Sequence, residues 1–183
     1  MKLRLGLTGL IMLAVAGCGL ISRPVGGGPG DCPSPAADTQ LLKDEEHGYC
    51  LLYPKDYRTE QPNPLESVIF KGSLLDVENP RITIEVTDAG GRADSEIAGG
   101  IVAEVKASLP NWGVRQSATR IGGETAIVLD NVAGQDISRQ VVAVHGGRLY
   151  LLTFAPAGPA QGDAYLAMDK LYKTALESFR FTP

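Results

Sequence analysis

The sequence predicts an α+β domain, with a central antiparallel sheet flanked by two main helices. Three observations carry that prediction. The segment RITIEVTD (81–88) alternates apolar and polar residues, which is the period of a strand with one buried face. Four strand-like segments then follow one another between residues 114 and 155, separated by Gly-containing turns. Two stretches, 94–109 and 163–178, repeat apolar residues at helical spacing. Strands, a helix, an antiparallel meander and a last helix place the helices on sheet faces.

Taken in order, YCLLYP (49–54) is a short apolar strand ended by Pro54, and ESVIF (66–70) is a second. Between them, EQPNP reads as a Pro-rich turn. In the third strand Ile82, Ile84 and Val86 share one face, and Arg81, Thr83 and Glu85 the wet one. The 94–109 helix repeats Ile97, Ile101, Val105 and Leu109, with Asp94 or Ser95 as cap and Pro110 at its end. Gly99 and Gly100 each cost this helix about 1 kcal/mol against Ala. Close packing on a sheet is the expected compensation.

Segments 114–120, 124–131, 137–145 and 148–155 form the meander. Gly122-Gly123 and Gly146-Gly147 supply the positive φ angles of tight hairpins, and Ala133-Gly134-Gln135 makes the third turn. The last helix sets Ala164, Met168, Leu171 and Ala175 on one face, with Asp163 as its candidate N-cap. FRF closes the chain as a short strand or packed tail.

A chain of 183 residues holds one domain with a real core. It is 44% hydrophobic and 21% charged, as folded globular proteins are. Net charge is −4, and taking Lys2 and Arg4 from the 17 basic residues leaves 15 against 21 acidic ones, a net of −6. With no Lys/Arg run, that balance argues against a nucleic-acid binder.

The chain starts with Lys2 and Arg4, an apolar stretch from Leu5 to Ala16, and small residues before Cys18. A dozen apolar residues are too few to span a bilayer, which needs about 20, but they suit the core of an export signal. Val15-Ala16-Gly17-Cys18 resembles the bacterial lipobox. That resemblance implies cleavage before Cys18, lipidation of its sulfur, and a membrane anchor on the extracytoplasmic face. Gly19, rather than an acidic residue, follows, which by resemblance to Gram-negative sorting rules favours the outer membrane. Residues 1–17 are thus expected to be a lipoprotein signal peptide, 18–47 a lipidated N-terminus and flexible Gly/Pro-rich linker, and 48–183 the single folded domain. Gly26-Gly27-Gly28 lacks the Gly-Lys-Ser/Thr ending of a phosphate loop.

With Cys18 assigned, Cys32 and Cys50 remain as an even pair. In an exported chain such a pair reads as a disulfide. The spacing is not Cys-x-x-Cys and further ligands are absent, so redox and metal roles are disfavoured. The bridge would pin the incoming tail to the first strand.

Catalytic constellations are missing from the sequence. Gly-x-Ser-x-Gly and Ser-x-x-Lys do not occur, and carboxylate pairs such as Glu85 and Asp88 arise by chance. His47, in KDEEHGY, is expected in a solvated charged turn, since a transition-metal site wants a second imidazole or thiolate. His145, before Gly146-Gly147, is expected as an exposed turn-flanking residue. Trp112 is the candidate partner contact, as Trp is enriched in interface hot spots; its alternative is a plug at the core edge. Tyr53, Tyr57 and Tyr150 read as core and rim aromatics. No metal, cofactor or enzymatic activity is expected.

HGYCLLYPKDY, GGRLYLLTF and LYKTALESFRF together resemble the PsbP-like (Mog1/PsbP) family, over roughly residues 48–181. Its members begin with a Gly-Tyr-x-x-x-x-x-Pro strand and close with a helix leading into Ser-Phe-x-Phe. The resemblance implies an α/β sandwich with non-catalytic roles in binding or assembly. A lipid-anchored cell-envelope module for a protein partner is the leading expectation. A small-ligand or lipid-binding lipoprotein, with a cavity between sheet and helices, is the alternative, and a hydrolase is a third.

Overall fold

The computed structural model describes residues 30–76, 78–91 and 94–183. The expected signal segment, Cys18 and the Gly26-Gly27-Gly28 run lie outside the described residues. Ten strands run in chain order with two helices: β1 (Thr39–Asp44), β2 (Tyr49–Pro54), β3 (Arg58–Asn63), β4 (Glu66–Phe70), β5 (Arg81–Asp88), α1 (Asp94–Ser108), β6 (Arg115–Ile121), β7 (Glu124–Val132), β8 (Ser138–His145), β9 (Arg148–Ala155), α2 (Asp163–Ser178) and β10 (Arg180–Phe181). They form a seven-stranded antiparallel sheet, ordered β3-β4-β5-β9-β8-β7-β6, and a three-stranded sheet, ordered β1-β2-β10.

The large sheet has two unlike faces. Ile82, Ile84 and Val86 of β5 point to one, beside Tyr150, Leu152 and Phe154 of β9, all nearly or fully buried. The small sheet and α2 cover that face, where Met168, Leu171 and Ala175 have no exposed surface. On the other face α1 covers β7 and β8 through two smaller clusters, one around Ile97 and one around Val102. Glu85 stays exposed there, so the wet side expected of β5 exists.

Several elements differ from the sequence expectation. TQLLKD, placed in the linker, is β1 and pairs along its length with β2. Folded structure therefore starts before Gly48. The EQPNP stretch lies largely in β3, whose pairing with β4 shifts register between Glu60 and Asn63. Pro62 falls inside that irregularity on an edge strand, where a missing N–H breaks no ladder. Gly99 and Gly100 are exposed and a Cβ at either would meet nothing within 4 Å, so close packing does not compensate for them. At α2 the cap is Gly162, with no side-chain cap bond, and Asp163 is the first helical residue. Its carboxylate sits in the first turn, where the helix dipole favours a negative charge.

The described residues begin beside the C-terminus. Cys32 and Cys50 form the expected disulfide, with Cα atoms 5.8 Å apart. Arg180 pairs with Cys50 and Phe181 with Tyr49, while the Thr182 amide donates to Gly48 O at 2.8 Å. Gly122, with φ of +55°, lies against Phe181, and a Cβ there would approach the ring within 2.5 Å. Only glycine satisfies both the turn and that contact.

Candidate functional site

Two ends of the large sheet carry the features of interest. The first gathers the β1–β2 turn, the β3–β4 turn, the end of β5 and the β8–β9 turn. The second gathers the loop after α1, the β4–β5 loop and the start of α2.

At the first end His47 is not in a solvated turn; it is 7% exposed. Asp44 secures it twice, since Oδ1 accepts the His47 backbone amide at 2.9 Å and Oδ2 lies 2.8 Å from Nδ1. A carboxylate only accepts, so the shared proton resides on Nδ1 and Nε2 is left as an acceptor in the neutral ring. His47 O accepts from the buried Tyr150 hydroxyl at 2.8 Å. Burial pushes the Tyr150 phenol above its ordinary range, and the neighbouring Arg148 guanidinium pulls it partly back. Burial also raises Tyr49, whose hydroxyl is sealed from solvent near Ser67 and Asp44. A groove of about 420 Å³ opens here, lined in part by His47, Leu65, Val86, Asp88, Gly147 and Arg148.

His145 is less exposed than its turn position implies. Its ring stacks on Phe181 at 4.2 Å, nearly parallel, and Nδ1 lies 3.3 Å from Glu124 Oε1. The charged turn Glu45–Glu46 lines a separate open depression with Thr59 and Glu60. Tyr53, Tyr57 and Tyr150 are buried, as expected.

At the second end Trp112 is 52% exposed. It does not plug the core. Its amide donates to Leu109 O at 3.2 Å and its carbonyl accepts from Asn131 Nδ2, so backbone bonds fix the turn while the indole faces out. Beside it lies a depression of about 270 Å³ that includes Gly134, Asp136, Ile137 and Gln161. Asp136 is tied to Arg81 at 2.7 Å, and Gln161 Oε1 is buried without a hydrogen-bond partner. Leu74, Leu75 and Leu166 are also exposed, Leu75 by 95%.

Among the described residues, no group of three or more His, Cys, Asp or Glu side chains could hold a metal ion. No described helix is long and apolar enough to cross a membrane.

The solution structure of cyanobacterial PsbP (CyanoP) from Synechocystis sp. PCC 6803 superposes with a TM-score of 0.52 at 16% identity, covering 87% of this chain and 99% of that one. The fold is PsbP-like. A crystal structure from Bacteroides thetaiotaomicron VPI-5482 gives a TM-score of 0.56 at 10% identity, over 80% of this chain. There the match spans about half of the other protein, 49%. No protein-family model and no curated protein matches the sequence. At these identities the likeness is one of fold: two helices and antiparallel sheets in a PsbP-like α+β sandwich.

Proposed function

We propose that this chain is a lipid-anchored, non-catalytic binding or assembly module on the extracytoplasmic face of a bacterial membrane. Cys18 carries the anchor and the Trp112 end of the domain meets a protein partner. The observation that supports this reading is the division of labour between the two ends.

The described chain enters beside its own C-terminus, with Gly30 next to Pro183, at the end that carries the β8–β9 turn. Trp112, Leu74, Leu75 and Leu166 all lie toward the opposite end, beyond the start of β5 and the end of β9. The eight residues of β5 separate the two ends by roughly 25 Å. Among the described residues, four of the five exposed large apolar side chains lie at the end opposite the tether, Leu65 being the exception, which suits a domain held by the first end and docking by the second. The acidic balance and the sequence's lack of a nucleophile–base pair favour binding over nucleic-acid recognition or hydrolysis.

The experiment has two arms. Cys18→Ser is expected to move the chain from the membrane fraction to a soluble or unprocessed form, with its thermal unfolding unchanged. A mature-sized Cys18→Ser chain that stayed on the membrane would sink the anchor. For the partner, a photo-crosslinking amino acid replaces Trp112 in one chain and Glu85 in a control. One discrete protein adduct at position 112, absent at 85, is expected. Equal labelling at both sites, or none at 112, rejects the docking end.

A further inference from the structure

We propose that the groove at the tether end, where the two sheets part, binds a small zwitterion of the amino-acid class, with an ammonium and a carboxylate on one small molecule. The inference rests on the His47 groove and needs neither the anchor nor the Trp112 end.

Asp88 and Arg148 are direct cross-strand partners at the end of the β5–β9 ladder. Residues opposed in this way project to the same sheet face with Cβ atoms about 5 Å apart, and opposite charges there ordinarily close an ion pair. Here they do not. The Asp88 carboxylate turns to accept the Gly90 amide at 2.7 Å, and the Arg148 guanidinium turns to the Tyr150 hydroxyl. Neither makes an ion pair among the described residues. The face they occupy is the one that carries Val86 and Tyr150, so the small sheet lies above them and His47 reaches in from the β1–β2 turn.

Gly48 keeps that approach open. Its φ is +69°, and a Cβ there would stand 3.0 Å from Thr182 O and 3.4 Å from Arg148 Nη1. The result is a mouth with a fixed cation on one side and a carboxylate on the other. An imidazole held by Asp44 adds an acceptor at Nε2, which has no partner among the described residues. Leu65, half exposed, and Val86 add an apolar wall.

The chemistry of each group selects the ligand. Arg148 offers the planar fork that takes a carboxylate in two parallel hydrogen bonds. Asp88 accepts, and so does His47 Nε2 when its ring is neutral, as an ammonium requires. A volume of about 420 Å³ lies within the range of small-molecule sites and holds an amino acid with its first water shell. A plain anion would face Asp88 uncompensated, and a plain amine would face Arg148.

Calorimetric titration of the full chain in detergent, with free L-amino acids added one at a time, tests the site. At least one is expected to bind with a Kd of about 1 mM or tighter. The methyl ester and the N-acetyl derivative of that amino acid, each lacking one charge, should bind about tenfold more weakly or worse. Arg148→Ala and Asp88→Asn should each weaken binding by about tenfold with the unfolding midpoint unmoved. Absence of binding by every amino acid at about 10 mM, equal binding of the blocked derivatives, or unchanged affinity in both variants overturns the proposal. A third arm uses vesicles of phosphatidylethanolamine, whose headgroup also pairs an ammonium with an anion, and a Cys18→Ser chain. Vesicle capture that Arg148→Ala abolishes, without binding of free amino acids, assigns the groove to a lipid headgroup and likewise overturns it.

Discussion

The two helices lie on opposite faces of one sheet and are held in different ways. α2 presses Met168, Leu171 and Ala175 into a core shared by the large and small sheets. Ser178 at its end bonds β2 directly, its hydroxyl accepting the Leu52 amide at 2.8 Å. The Tyr57 hydroxyl reaches Ala167 O at 3.3 Å. Arg139 of β8 spreads over the Tyr172 ring and is paired with Asp130 at 2.6 Å. Burial opposes the Arg139 charge, but Asp130 more than restores it, leaving its pKa raised. α1 is tied more lightly, by the exposed Lys106 Nζ donating to Gln116 Oε1 of β6 at 2.8 Å. It buries Ile97 and Val102, and two exposed glycines interrupt its middle. A helix gains its stability from the number of surfaces it touches: α2 meets two sheets, α1 meets one.

The sharpest way to break this comparison is to cut a large side chain from each helix. Leu171→Ala is expected to destabilise the fold by about 3 kcal/mol, at a site closed on all sides. Ile97→Ala, in a three-residue cluster with Ala89 and Val144, should cost nearer 2 kcal/mol. Urea unfolding of both variants gives the ranking directly, and an Ile97→Ala loss equal to or above that of Leu171→Ala would invert it.

Alkaline pH probes the α2 side alone. Burial pushes the Tyr57 phenol up to about 12, whereas in the unfolded chain it ionises near 10. The folded pKa is the higher one, so its contribution is complete below about pH 10 and is lost as pH rises toward 12. A loss of about 2 kcal/mol across that window is expected. Tyr57→Phe should flatten the decline by that share, measured as unfolding free energy against pH; an unaltered slope would remove Tyr57 as its source.

Smaller effects sharpen the α1 side. Gly99→Ala and Gly100→Ala should each stabilise by about 1 kcal/mol, because helix propensity improves and the new methyl meets nothing. A fall in the unfolding midpoint would show instead that α1 needs those glycines for contacts made outside this chain. Smallest of all, Trp112→Ala is expected to change stability by under about 0.5 kcal/mol, as an exposed side chain does. A larger loss would return Trp112 to the core edge.

Elements that bury their own pattern were legible in the sequence. β9 and α2 fall on the expected residues because LYLLTF and the Met168–Leu171–Ala175 spacing each declare a pattern, with Gly147 and Pro156 bounding β9 and Gly162 preceding α2. β1 and β3 were not legible. TQLLKD and RTEQPN are edge strands whose hydrogen bonds come from β2 and β4, so their own residues need not alternate. The candidate site divides along the same line. Trp112 and His47 could be singled out by residue type. The burial of His47 could not, because it comes from the large sheet passing beneath a turn whose own residues are acidic. The opposition of Asp88 and Arg148 is a matter of register across 60 residues of chain, and no local signal encodes it.

The closure of the small sheet bears on when this domain can exist during synthesis. β2 takes β1, which precedes it in a hairpin, on one side, but waits for β10 on the other. The Leu52 amide finds Ser178 126 residues later, and the Phe181 ring then stacks on His145 and meets Tyr150 edge to face. A chain made only as far as residue 170 thus has its hairpins but neither the end of α2 nor the lock on β2. Contacts of such long sequence separation form late and slowly. The domain should stay loose and threadable until its last strand has emerged, and then close in one step around the end where it began.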